Sequence, residues 1–124
     1  MSTGTSLTVK DIAVMNGAGI DRYIPSPADY QDSSPGWTEA EYQYVDRASG
    51  RVVAGFWTGE PGFVKIDSWA YTEVCSILSG KVAVVDVDGG RVEFGAGEAF
   101  TVPKGFAGTW VTVEAASKIF IAID

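Results

Sequence analysis

The chain has 124 residues, 46% of them hydrophobic, with sixteen acidic and nine basic side chains and a net charge of −7. The basic residues are scattered, whereas a phosphate backbone or an anionic bilayer needs a concentrated positive face, so neither nucleic acid nor a membrane is expected as a partner. No histidine occurs, which excludes Ser-His-Asp and Cys-His catalysis, and the single cysteine excludes an internal disulfide.

Residues 1–20 hold no apolar core of signal-peptide length, and no stretch approaches the ~20 apolar residues of a membrane span. A cytoplasmic soluble protein of one domain is the expectation. Residues 1–40 read as an irregular arm, punctuated by Pro25, Pro27 and Pro35. Ile20, Tyr23, Ile24, Tyr30 and Trp37 are its expected anchors on a β-barrel domain spanning 41–124, or on a partner subunit. From Tyr42 onward, short β-branched and aromatic runs alternate with turn signals. The expected strands are 42–46, 52–58, 63–67, 73–78, 82–87, 91–94, 99–102, 108–113 and 118–123. Turns are expected at Ala48-Ser49-Gly50, Glu60-Pro61-Gly62, Ser79-Gly80, Asp88-Gly89-Gly90, Gly95-Ala96-Gly97 and Pro103-Lys104-Gly105, with Asp88-Gly89 a strong hairpin signal. No ten-residue segment carries a 3.6-residue apolar period, so helix should be scarce. Nine short strands need their edges hidden, and closure into a barrel does this best.

Two glycine-centred spacings then stand out. Gly62 is followed by five residues, a polar segment from Ser68 to Thr72, Glu73, six further residues and Gly80. Gly97 is followed by five residues and then Pro103-Lys104-Gly105, two residues ahead of Gly108. In this order the pair resembles the two cupin motifs over about residues 52–123. The phrase PKGFAGTW with Lys118 before the last strand resembles the ureidoglycine aminohydrolase and ethanolamine-utilisation cupins. The resemblance implies an all-β, single-domain cupin, an RmlC-like jelly-roll β-barrel with an irregular N-terminal arm, and a homodimer. It also implies a metal site, but the positions where metal-binding cupins place histidines are Ser68, Ala70 and Gly108 here, or Asp67 and Trp69 with a one-residue shift. Glu73 alone survives of that ligand set. One carboxylate does not hold a transition metal tightly, so no metal and no cofactor are expected.

The motif points Glu73 into the barrel; the plainer alternative is a solvated rim. A carboxyl in an apolar lumen has a raised pKa unless paired, which makes Glu73 a candidate acid or base. Lys118 shares a strand face with Phe120 and Ala122, within expected reach of Glu73, and is the second catalytic candidate, by charge or as a Schiff-base amine if desolvated. A snorkelling surface lysine is the competing reading. Cys75 lies one pleat deeper than Glu73; it is a ligand-binding candidate by position but reads chiefly as core filler, for want of a thiolate-stabilising neighbour. Trp69 and Tyr71 at the barrel mouth, with Phe106 and Trp110 flanking the second motif, are candidate ligand-binding walls, with core and dimer packing the favoured reading for Trp110 and Trp57. Lys65 and Asp67 complete the candidates near the mouth. The leading reading is a metal-free cupin binding a small polar molecule, which by the resemblance contains nitrogen, with acid-base chemistry by Glu73 if it is an enzyme at all. The alternatives are a non-catalytic sensor, a structural dimer with a plugged lumen, and a metalloenzyme using Glu73 with Asp67, Tyr71 or Ser68.

Overall fold

The computed structural model describes residues 6–47, 49 and 51–124. Among these, the regular structure is eight strands and two single 3-10 turns, Val9–Asp11 and Pro27–Asp29. The strands are β1 (Asp32–Ser33), β2 (Glu39–Arg47), β3 (Val52–Gly59), β4 (Gly62–Ile66), β5 (Thr72–Asp86), β6 (Arg91–Gly95), β7 (Ala99–Val102) and β8 (Gly108–Ile123). All pairings are antiparallel. The hairpin expected at Asp88-Gly89 is present, closed by the Gly89 N–H donating to the Asp86 carbonyl at 3.1 Å. Ala48 and Gly50 of the turn expected before β3 lie outside the described residues.

Four of the expected strands merge into two. Residues 73–78 and 82–87 become the single β5, and 108–113 and 118–123 the single β8. Gly80 is therefore a bend within a strand and not the reversal its turn signal implied. Its φ is +78°, and a Cβ there would stand 2.1 Å from the Ala115 carbonyl oxygen. The absent side chain lets β5 cross against β8 at the point where the register slips between Ile77 and Val82.

These bends fold one hydrogen-bonded system into two facing sheets, a jelly roll. The first has the order β1-β4-β8-β5-β6, using residues 108–112 of β8 and 82–86 of β5. The second is β2-β3-β8-β5-β7, using residues 116–123 and 72–77. Inward side chains of both sheets form the core, which includes Cys75, Ile77, Val82, Val102 and Phe120.

Closure is not by hydrogen bonds throughout, because no ladder joins the edge strands of the two sheets among the described residues. On one side, Phe94 of β6 and Phe100 of β7 stack with centroids 3.8 Å apart. On the other, the N-terminal arm crosses the gap. Tyr23 exchanges two 2.7 Å backbone hydrogen bonds with Glu41 at the edge of β2, and β1 pairs with β4. The arm is thus pinned at both sheet edges, and residues 24–31 form a strap between them. Of its expected anchors, Tyr30 and Trp37 pack on the core, whereas Ile20, Tyr23 and Ile24 stay exposed. The backbone, more than those side chains, holds the arm.

Candidate functional site

Period-two alternation decides what faces the space between the sheets. From β5 come Glu73 and the deeper Cys75; from β8, Lys118, Phe120 and Ala122; from β3, Trp57; from β2, Glu39, Glu41 and Gln43. All but Cys75 surround a hollow of about 550 Å³, roofed by Tyr23 and by Pro25, Asp29 and Tyr30 of the strap. The lumen is open, not plugged by its aromatic residues. A second depression of about 620 Å³, lined by Arg22, Thr58 and Ala115, lies beyond Trp37 and Glu39 and contains no buried ion pair.

The floor of the hollow is a buried ion pair. Lys118, 5% exposed, places Nζ 2.7 Å from Glu73 Oε2, and Trp69 Nε1 donates to Glu73 Oε1 at 3.0 Å. Burial alone would lift the Glu73 pKa. The Lys118 charge and hydrogen bond outweigh it, aided by donation from Trp69 and Cys75, and hold the carboxyl below its ordinary value. For Lys118 burial pulls the other way, yet Glu73 and then Cys75 raise the ammonium above its ordinary value. The ammonium also sits 4.0 Å from the ring centroid of Trp110 and 5.0 Å from that of Trp57, an arrangement that favours positive charge. Both groups are ionised at neutral pH. The raised pKa expected for an unpaired lumenal Glu73 does not arise because it is paired, and a Lys118 held as ammonium is not the free amine a Schiff base needs.

Cys75 donates to Glu73 Oε2 at 3.4 Å and lies 3.5 Å from Lys118 Nζ. Burial, and then the Glu73 charge against the opposing effect of Lys118, pushes its thiol up to about 12. As a ligand-binding candidate it is a correction: it stands behind the wall of the hollow as an un-ionised, fully buried thiol, because it lies one pleat below Glu73 in the packed core.

Trp69, Tyr71, Trp110 and Trp57 all line the hollow. Phe106 does not; it supports Trp69 edge-on, with centroids 5.7 Å apart. Lys65 and Asp67 are corrections: both are exposed and neither lines the hollow, because Lys65 falls on the outer face of β4, opposite the inward Val64 and Ile66.

Glu39, Glu41 and Gln43 were not singled out from sequence, and Tyr30 and Trp37 only as anchors of the arm; together they form one whole side of the site. Glu39 accepts hydrogen bonds from Trp57 Nε1 and Trp37 Nε1, each at 2.9 Å, and from the Tyr30 hydroxyl. Burial, reinforced by Glu39, pushes the Tyr30 pKa well above its ordinary value and keeps the phenol a donor. Glu41 accepts from Gln43 Nε2 at 3.1 Å; burial raises its pKa against that hydrogen bond, and neighbouring Glu39 adds to the rise. The available signal was the strict alternation of Glu39, Glu41 and Gln43 with Ala40, Tyr42 and Tyr44, a polar strand face that ordinarily reads as solvent-facing.

The metal site of histidine-bearing cupins does not fit this chain. Ser68 and Ala70 line the hollow but offer one hydroxyl between them, and the Glu73 oxygen is taken by an ammonium. No side chain fits at Gly108, where a Cβ would meet the Val85 carbonyl oxygen at 2.3 Å. Among the described residues no three His, Cys, Asp or Glu side chains are grouped to hold an ion.

A family model described as EutQ-like cupin domain matches residues 46–120. Among solved structures, the Clostridium difficile EutQ protein is similar at 20% identity, with a TM-score of 0.64 over 79% of this chain and 78% of that one. A putative ethanolamine utilization protein q from Salmonella typhimurium gives 22%, 0.62, and 69% of each chain. A Rhizobium leguminosarum protein of unknown function gives 26%, 0.59, and 73% of this chain and 84% of that one. No curated protein matches the chain. No helix among the described residues is long and apolar enough to cross a membrane.

Proposed function

The chain belongs to the EutQ-like cupin family, and from that premise we propose that it is a binding domain whose hollow takes one small polar molecule without a metal. The observation that carries this reading is the hollow itself: about 550 Å³, walled by aromatic side chains and floored by the Lys118–Glu73 pair. Apolar walls supply contact area, and a few fixed polar groups supply orientation. Glu73 serves as a hydrogen-bond acceptor, and any proton transfer it performs starts from the carboxylate, as a base. With its pKa held low it is a weak base, so binding without turnover is the function the geometry favours.

All four tryptophans, Trp37, Trp57, Trp69 and Trp110, line the hollow, so their emission reports its occupancy directly. Titration with a panel of small polar metabolites should give a saturable change in emission, and acrylamide should quench the unliganded protein. Tryptophans that acrylamide does not reach would sink the reading. The expected homodimer is retained as a proposal, supported by Leu7, Val9, Ile12 and Val14 of the arm, all of which are exposed. Sedimentation showing a compact monomer at micromolar concentration would remove it.

A further inference from the structure

The charges around the hollow are unequal. Asp29, Glu39, Glu41 and Glu73 line it, against Lys118 as the one cation among the described lining residues. Lys118 is committed to Glu73 at 2.7 Å. The partners of the other three are neutral: Glu39 is held by Trp37, Trp57 and Tyr30, Glu41 by Gln43, and Asp29 by the Ser26 backbone N–H. No described lysine or arginine lies within salt-bridge distance of Asp29, Glu39 or Glu41. Glu39 and Glu41 are partly withdrawn from water, whereas Asp29 is exposed. Withdrawn carboxylates are usually matched by a positive charge, and here the protein does not supply one to the β2 pair. The walls add to the same preference. The Trp57 face already borders one ammonium inside the protein, and Tyr30 and Trp37 bring further aromatic surface beside Glu39.

We propose that the molecule taken into the hollow is an organic cation, an ammonium-bearing small molecule whose charged head lies between Glu41, Glu39 and the aromatic walls. This rests on the binding reading above and narrows it. A cation there would supply the counter-charge that the β2 carboxylates lack. An anionic ligand would meet those carboxylates with only a committed lysine in its favour.

The test uses choline and its uncharged isostere 3,3-dimethylbutan-1-ol, each titrated at constant ionic strength while tryptophan emission is followed, with acrylamide quenching measured beside them. Choline should bind at least tenfold more tightly than the alcohol. Glu41→Gln should remove most of that preference by weakening choline alone, and Asp29→Asn should reduce it, with unchanged circular dichroism. Glu93→Gln, on the exposed strand β6, should leave it as it was. Equal or tighter binding of the alcohol would overturn the cation while leaving the hollow a binding site. Failure of both compounds, with acrylamide reaching the tryptophans, would also overturn the cation alone. Failure of acrylamide would take down the binding reading and this inference with it.

Discussion

Replacing Lys118 by Met keeps the apolar stem and deletes the ammonium. Glu73 then remains in the floor of the hollow with Trp69 and Cys75 as its donors and no counter-charge. Removing one partner of a buried pair costs about 3–5 kcal/mol, because the surviving charge is left uncompensated. A domain of this length has a total stability of roughly 6–19 kcal/mol, so the loss is a large fraction of it. At about 3–5 °C per kcal/mol for this size, the melting temperature should fall by roughly 10–20 °C. Adding Glu73→Gln to Lys118→Met should restore more than half of the loss, since no buried charge then remains. Urea denaturation of the four members of this cycle measures the coupling.

The pH dependence of that cycle should invert. In the parent chain the Glu73 pKa lies below its unfolded value, near 4.5. The stability it contributes is therefore full above pH 4.5 and is lost as pH falls through the folded value. In Lys118→Met burial dominates and the pKa rises above 4.5, so stability from Glu73 is present below the unfolded value and is lost as pH climbs through the folded one. A single variant losing under about 1 kcal/mol would refute the reasoning, because it would mean that water compensates the carboxylate. So would a double variant losing the sum of the singles.

The Lys118 ammonium, raised above its ordinary 10.5 by Glu73, should carry its share of stability from neutral pH up to that value and lose it only at more alkaline pH; unfolding that begins near pH 9 would contradict the pairing. Cys75 should resist a thiol reagent such as dithionitrobenzoate in the native protein at pH 8 and react fully in urea, and stoichiometric native labelling within minutes would mean the thiol is neither buried nor un-ionised. Gly80→Ala should destabilise well beyond the ~1–2 kcal/mol of a left-handed alanine, since its Cβ strikes the Ala115 carbonyl, whereas Gly97→Ala, with φ +88° and open space around it, should cost only that amount. Equal losses at the two glycines in chemical denaturation would show that the β5–β8 crossing is looser than described.

Much of the architecture was legible in the sequence because strand periodicity and turn chemistry are local. The absence of histidine removed histidine-based catalysis without any coordinates. The spacing of Gly62, Glu73, Gly80, Gly97 and Pro103 carried the family, and the alternation of Lys118 with Phe120 and Ala122 put the lysine on the face where it meets Glu73. Tertiary structure alone decided whether a polar strand face looks at water or at a hollow. Glu39, Glu41 and Gln43 have the pattern of a solvent face and became a site wall because the strap, pinned to β2 and β4, roofs the gap above them. It also decided the state of the ion pair: a charged side chain's pKa depends on a neighbour that the chain brings in from 45 residues away, and no local pattern contains that distance.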